Sequence, residues 1–182
     1  RSLTCLNTAL TQSGAWIEVA AGVEVEVPLQ LLFVTTHEGE AVMTHPRVIL
    51  RLGEGAYLHV LEVHAALDSG AVLTNLVVQC ELAPGARLVR EKLQIGGAAS
   101  SFVGKTAVWL MAGARLIDNV ATLGGGFTRN ESELFLEGPG VDALMNGVYM
   151  PRSNEHVDTL VRIHHRAGNC HSNQFYKGVI AE

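Results

Sequence analysis

Apolar and polar residues alternate with a period of two in short runs along this chain, and no helical period is sustained over ten residues. Period two sends successive side chains to opposite faces of an extended strand, so each run predicts a strand with one buried face. Residues 23–27 read this way, with Pro28 interrupting the run, while 15–19 opens a series of short apolar runs and 48–52 predicts another short strand. Residues 29–35 are apolar almost throughout and predict a strand buried on both faces. Residues 37–40 predict a turn, and the segment from Arg1 to Gly14 gives no firm element. The alternation is densest near the C-terminus. There Val157, Thr159, Val161 and Ile163 alternate with His156, Asp158, Leu160, Arg162 and His164. Ala167-Gly168-Asn169 breaks the run, because Gly and Asn tolerate tight-turn backbone angles. Ser172, Gln174 and Tyr176 then alternate with Asn173, Phe175 and Lys177, so this stretch predicts strand, turn, strand.

The strands recur as a unit. A Gly-Ala type of turn precedes the runs 59–67, 89–95, 117–123 and 144–150. Its glycines are Gly55, Gly85, Gly113 and Gly140, with a looser copy at Gly22, and the interval between them shortens steadily along the chain. A regular interval of this size marks stacked units that bury their apolar faces on one another. The fold class predicted is all-β: a β-solenoid with coils of roughly 27–33 residues, filling 1–182 as a single domain. A β-sandwich or barrel of regular hairpins is the alternative. A solenoid leaves a strand face open at each end. The run up to Glu182 reads as strand without a capping helix, so further sequence or another chain is expected over that end.

Composition narrows the class without naming an activity. A chain of 182 residues, 48% hydrophobic and 17% charged, can bury a substantial core and is not disordered. The net charge of −5 is spread without a basic stripe, which disfavours nucleic acid as a partner. Cys5, Cys80 and Cys170 lie far apart, with neither disulfide-framework nor zinc-finger spacing. A reducing, cytoplasmic compartment is the expectation. No apolar run approaches the ~18 residues of a membrane span, and the N-terminal residues lack a signal-peptide pattern, so no membrane partner is expected.

Candidate chemistry is sparse. Gly124-Gly125-Gly126 lacks the context of a phosphate loop and predicts a mobile surface turn. Gly104-Lys105-Thr106 resembles the end of a P-loop, but the first glycine and the following helix are missing, which rejects nucleotide hydrolysis. Glu131 and Glu133 could act as paired carboxylates, but at strand spacing a solvated ladder with neighbouring arginines is the expected use. Four of the eight histidines and Cys170 fall in residues 156–182. Imidazole and thiolate suit zinc or iron. Yet His156 and His164 lie eight residues apart, about 26 Å along a strand, so they cannot share a metal unless the strand turns. Such a site would need side chains from adjacent coils, such as His59 or His64.

The order of residues in the last third carries a resemblance. Arg129-Asn130 with Leu134, Leu136 and Gly138, then Gly147 and Tyr149, His156 and Asp158, Ile163 and His165, and finally Cys170-His171-Ser172-Asn173-Gln174-Phe175-Tyr176-Lys177-Gly178-Val179, together resemble the SufB/SufD family of iron–sulfur cluster assembly proteins. Cys170 ahead of Ser172 looks SufD-like. The resemblance implies a right-handed parallel β-helix and a non-catalytic scaffold subunit. It implies action with a SufB-like subunit and a SufC-like ATPase, with a homodimer through the β-helix end as the alternative. No cofactor is expected on this segment alone, the iron–sulfur cluster being a transient product of the complex. Family members continue with more coils, a Cys-Ser-His-Gly-Ala motif and helical regions, so the chain is expected to be a β-helix core truncated at both ends. The motif residues carried over are Arg129, Asn130, His156, Asp158, His164, Ser172, Gln174 and Lys177. Cys170, His156 and His164 are candidate metal contacts. Two enzyme readings compete: a β-helix polysaccharide lyase or hydrolase, which the aromatic content of 5% disfavours, and a cupin-like metal enzyme using His59, His64, His164 and His165.

Overall fold

The computed structural model describes residues 2–36, 41–66, 70–152 and 154–180. The turn expected at 37–40 and the end of the run 59–67 lie outside them. Helix α1 (Ser2–Leu10) precedes the strands β1 (Gly14–Val19), β2 (Leu29–Thr35), β3 (Val42–Thr44), β4 (Arg47–Leu52), β5 (Tyr57–Ala66), β6 (Val72–Leu82) and β7 (Arg87–Gly96). They continue as β8 (Ser100–Leu110), β9 (Arg115–Gly124), β10 (Phe127–Leu136), β11 (Asp142–Tyr149), β12 (His156–His165) and β13 (His171–Gly178). Two sheets result. The first runs β1-β4-β6-β8-β10-β12, with β3 beside β6, and the second runs β13-β11-β9-β7-β5-β2. The chain passes from one to the other at each corner, and strands pair in parallel with those one coil away. Gly14 pairs with Arg47 in the first coil and Ser101 with Phe127 in a later one, so the coils tighten as the glycine interval does as far as β10, and the last coil, with Phe127 on His156, widens again. This is the expected β-solenoid, with the Ser101–Phe127 coil a residue shorter than the tightest glycine interval.

The corner glycines set the period. Gly22, Gly55, Gly85, Gly113 and Gly140 all have φ between 67° and 74°. Ala56 donates to Gly53 O, Ala86 to Ala83 O and Ala114 to Met111 O, each at 3.0 Å. This is the i to i+3 bond of a type II turn, whose third residue must take positive φ. An added Cβ at Gly85, Gly113 or Gly140 would meet nothing closer than 3.9 Å, so the backbone angle rather than crowding requires glycine.

Just inside the corners lies the apolar core. Leu52, Leu82, Leu110 and Leu136 stack in register along the first sheet. Leu58, Leu88, Leu116 and Ala143 do so along the second. All eight are buried, and each leucine contributes about 1.5–3 kcal/mol on leaving water. α1 is tied to the first sheet by polar bonds: Asn7 Nδ2 donates to Pro46 O (2.9 Å) and Asn75 O (2.8 Å), and Asn75 Nδ2 donates to Leu3 O at 2.8 Å.

Three expectations change. Residues 23–27 form a single bridge, Glu24 to Tyr57, rather than a strand. They turn the corner between β1 and β2, where only one neighbour is within reach. β2 is not buried on both faces: it is outermost in its sheet, and Leu32 is 58% exposed. Gly124-Gly125-Gly126 is a packed corner, not a mobile surface turn. Gly125 is buried, and a Cβ on Gly124 or Gly126 would fall 2.6 Å from Gly96 O or 2.1 Å from Ala98 O of the preceding coil.

Candidate functional site: a buried polar network

Counting from each corner glycine, the third, fifth, seventh and ninth residues of the following strand point into the tube. At the third they are leucines or Ala143. Further along they become Glu62 and His64 on β5, Arg90, Lys92 and Gln94 on β7, and Asp118 and Thr122 on β9, all buried. Parallel in-register pairing stacks these positions, so single polar residues in each coil merge into one cluster.

Arg90 is its centre. Its Nε donates to Glu62 Oε2 at 3.1 Å and its Nη1 to Asp118 Oδ1 at 2.8 Å. Nη2 lies 3.0 Å from Glu62 Oε2 but without hydrogen-bond alignment. His64 Nε2 is 2.7 Å from Glu62 Oε1. The imidazole stacks on Phe33 at 4.8 Å and meets Phe102 edge-on at 5.1 Å. Lys92 Nζ donates to Asn130 Oδ1 at 2.6 Å. Asn130 Nδ2 reaches Gln94 Oε1 at 3.0 Å and Thr122 Oγ1 at 3.3 Å.

Burial opposes every charge here, and the partners decide which survive. Burial works against ionisation of Glu62, but Arg90 and the His64 hydrogen bond outweigh it and hold the carboxyl well below the usual range. Burial likewise opposes the Arg90 charge, and Glu62 and Asp118 reverse the balance, raising its pKa. For Lys92, burial and then Arg90 prevail, lowering it to about 8. His64 is lowered by burial despite Glu62. The Cys80 thiol is pushed up to about 12 by burial, which makes it a poor nucleophile. Beside the network a cavity of about 260 Å³ is lined by His64, Gln94, Phe102 and Thr128 among others.

The residues singled out in sequence lie mostly outside the tube. On the outer face of the first sheet, Arg129 pairs with Asp158. Glu131 accepts from Arg162 at 2.7 Å, and Glu133 from Lys105 at 2.6 Å. These two carboxylates are held below their usual range, Glu131 by Arg162 and Lys105 against burial, Glu133 chiefly by Lys105. They form the expected charge ladder. His164 lies 3.1 Å from Glu133 and stacks on Phe135 at 4.9 Å, while His156 stacks on Phe127 at 5.5 Å. Cys170 sits in the turn before β13, its Sγ 3.3 Å from Gly138 O. Ser172 meets His165 at 2.9 Å, Gln174 shares its strand face, and Lys177 points outward. Of the motif residues, Asn130 alone joins the interior network. His59, His64, His164 and His165 are not brought together: His59 faces outward to Glu91 at 3.2 Å, and His64 faces inward. Among the described residues no three His, Cys, Asp or Glu side chains are grouped to hold a metal, and no helix is long and apolar enough to cross a membrane.

Sequence reading missed the network because Leu61, Val63 and Leu93 alternate with Glu62, His64 and Lys92. Alternation alone seats the apolar set inside. The glycine count reverses the faces and was the available signal.

Fold and site define a class: a two-sheet parallel β-solenoid with an ionic network, His64 included, sealed in its tube, and with His59, His156, His164 and His165 dispersed over its outside. The family model for the SUF system FeS cluster assembly SufBD core domain matches residues 33–182, and the chain belongs to that family. An iron–sulfur cluster assembly SufBD family protein of Mycobacterium leprae is 27% identical over 172 residues, 93% of this chain. The match spans 42% of that relative's length. The resemblance carried by the motif order is borne out, and the family implies a role in iron–sulfur cluster assembly.

Proposed function

We propose that the chain is the core of a scaffold subunit in iron–sulfur cluster assembly. Its partners are a SufB-like subunit and a SufC-like ATPase in the cytoplasm. The observation that carries this reading is the family match across residues 33–182. Its role is non-catalytic: the stacked coils fix the spacing of surface side chains, and ATP hydrolysis belongs to the partner. The cluster is cargo of the complex rather than a resident cofactor. Cys170, His156 and His164 are the candidate contacts for it, acting together with side chains from the partner because they stand apart on this chain. The test is co-expression of the tagged chain with a SufB-like subunit and a SufC-like ATPase. Co-purification of both at defined stoichiometry supports the reading. Recovery of neither overturns it. Within a recovered complex, Cys170→Ala, His156→Ala and His164→Ala should each reduce cluster yield, read by visible absorbance and acid-labile sulfide, while co-purification is unchanged.

A further inference from the structure

The tube is not filled along its whole length. Near the corner glycines its inner rows hold leucines. At the other end of the strands the inner positions hold small residues: Ala66 on β5, Gly96 on β7, Ser100 on β8 and Gly124 on β9. They leave the cavity of about 260 Å³ beside the ionic network. Phe33, Val72 and Phe102 form much of its apolar wall. Among the described residues, no Asp, Glu, Lys or Arg lines it. An apolar chamber with a few converging polar groups is the ordinary form of a small-molecule site.

Three polar side chains line it with bonding capacity to spare. Thr128 is 1% exposed, and its Oγ1 has no hydrogen-bond partner. A buried hydroxyl left unpaired is costly. Gly125 keeps that oxygen uncovered, since a Cβ there would come within 3.1 Å of it. Gln94, also buried, accepts from Asn130 through Oε1, and its Nε2 donates to none of the described residues. Glu62 is ionised, so His64 Nε2 carries the proton between the two and Nδ1 is left as an acceptor. Asn130 stands two residues after Thr128 on the same inner face of β10, about 6.6 Å along the strand. The Asn130 bond therefore holds the Gln94 amide and the Thr128 hydroxyl at neighbouring levels of one chamber, where a single small ligand can bond both.

We propose that this cavity binds a small, neutral, planar molecule: a ring bearing a carboxamide or a lactam. Size, charge and bonding pattern choose the class. A dry cavity of about 150 Å³ holds a benzene ring, so this one takes a ring with a short polar substituent and excludes a drug-sized ligand. With no ionic side chain on the wall, a charged ligand would lose its water without compensation. Gln94 Nε2 donates, His64 Nδ1 accepts and the Thr128 hydroxyl does either, which calls for an acceptor and a donor side by side on the ligand. Gln94 then donates to the ligand carbonyl, and the ligand N–H donates to Thr128 Oγ1. Phe33 stacks on His64 and Phe102 meets it edge-on, so ring faces and edges already wall the chamber, and a flat ring packs against them in the same ways.

The site uses no assembly partner, so its readout is the chain alone, and its failure leaves the assembly role untouched. The probe is benzamide, titrated into the full chain and followed by backbone amide NMR shifts. It should bind saturably with a Kd of about 1 mM or tighter, modest for a ligand of this size. Benzoate has the same shape with a charge and should bind at least about tenfold more weakly. Thr128→Val keeps the shape of the side chain and removes the hydroxyl. It should weaken benzamide about five- to tenfold, while toluene, with no polar group, binds it as well as it binds wild type. Without ligand, this variant should melt no lower than wild type, since the unpaired hydroxyl is gone. Val72→Phe fills the chamber and should abolish benzamide binding; if it fails to fold, Thr128→Val and the benzoate comparison decide. Absence of saturable benzamide binding overturns the proposal. So does benzoate binding as tightly as benzamide, Thr128→Val binding benzamide like wild type, or a folded Val72→Phe variant that still binds it. A lower melting temperature for Thr128→Val would mean that the hydroxyl is already satisfied within the protein, which overturns it as well.

Discussion

Lys92 on the second sheet donates to Asn130 on the first at 2.6 Å, so one buried hydrogen bond ties the two walls of the solenoid together. Burial and then the neighbouring Arg90 lower Lys92 from 10.5 to about 8. The unfolded chain therefore holds a proton that the folded chain has released between pH 8 and 10.5, and stability rises with pH across that window on this account. The Cys80 thiol, raised from 9.0 to about 12, acts the other way above pH 9.0. Between pH 8 and 9 the Lys92 effect stands clear of it. Melting temperature measured across that interval should rise relative to Lys92→Met, which lacks the titrating group. Parallel pH profiles for the two proteins would show that Lys92 is not buried as described.

Arg90 joins Glu62 and Asp118 where none of the three is solvated. Removing only the cation strands two carboxylates in the tube, so Arg90→Met should cost about 3–5 kcal/mol in urea unfolding. Replacing the whole set with apolar residues (Glu62→Leu, Arg90→Met, Asp118→Leu) removes the desolvation cost with the charges. That triple variant should be more stable than Arg90→Met alone, and as stable as wild type or more so. If the network serves assembly rather than stability, the triple variant folds well but supports less cluster formation in the complex.

His64 and Glu62 set the acid limit. The folded-state pKa of His64 lies below its ordinary 6.5, so on acidification the unfolded chain takes up that proton first and stability falls below pH 6.5. Glu62, held below its ordinary 4.5 by Arg90 and His64 against burial, adds a second loss below pH 4.5. Urea unfolding at pH 7.5, 6 and 5 should therefore show a decline before the carboxylates titrate. His64→Gln keeps a donor toward Glu62 without the titrating ring, and should flatten the decline between pH 6.5 and 5.

The glycine period was sufficient for the architecture, because positive φ at Gly55, Gly85 and Gly113 is a local demand and glycine meets it at the lowest cost. Strand faces were less legible. On β5 and β7 both faces carry leucines and valines: the inner one accepts Glu62, His64, Arg90 and Lys92, and the outer one shows Leu61, Val63 and Leu93. Hydropathy then ranks the faces wrongly, since the partners that neutralise a buried charge lie a whole coil away along the chain. The same separation hides the role of Asn130, whose partners Lys92, Gln94 and Thr122 come from two other strands.

Cysteine chemistry should sort by place. Cys5 is exposed and Cys80 fully buried, with its thiol raised to about 12. Thiolate population and access both control alkylation. Iodoacetamide at pH 8 followed by peptide mass spectrometry should modify Cys5 in the native chain and leave Cys80 untouched until denaturant is added. Modification of Cys80 at the native rate of Cys5 would contradict its place between Leu50 and Val108 in the core.

Gly147 and Tyr149 on β11 face Tyr176 and Gly178 on β13, so each tyrosine lies against a glycine of the neighbouring strand. A Cβ on Gly147 would fall 2.2 Å from the Tyr176 ring, and one on Gly178 would fall 2.3 Å from the Tyr149 ring. Neither glycine has positive φ, so the requirement is space for the ring rather than backbone angle. Gly147→Ala must therefore expel the Tyr176 ring, at a cost of about 1–3 kcal/mol for overpacking. Tyr176→Ala loses the ring's packing but makes room for the methyl. The double variant Gly147→Ala/Tyr176→Ala should then be markedly less destabilised than the sum of the singles. Additive losses in urea unfolding would mean that the two residues do not share that space.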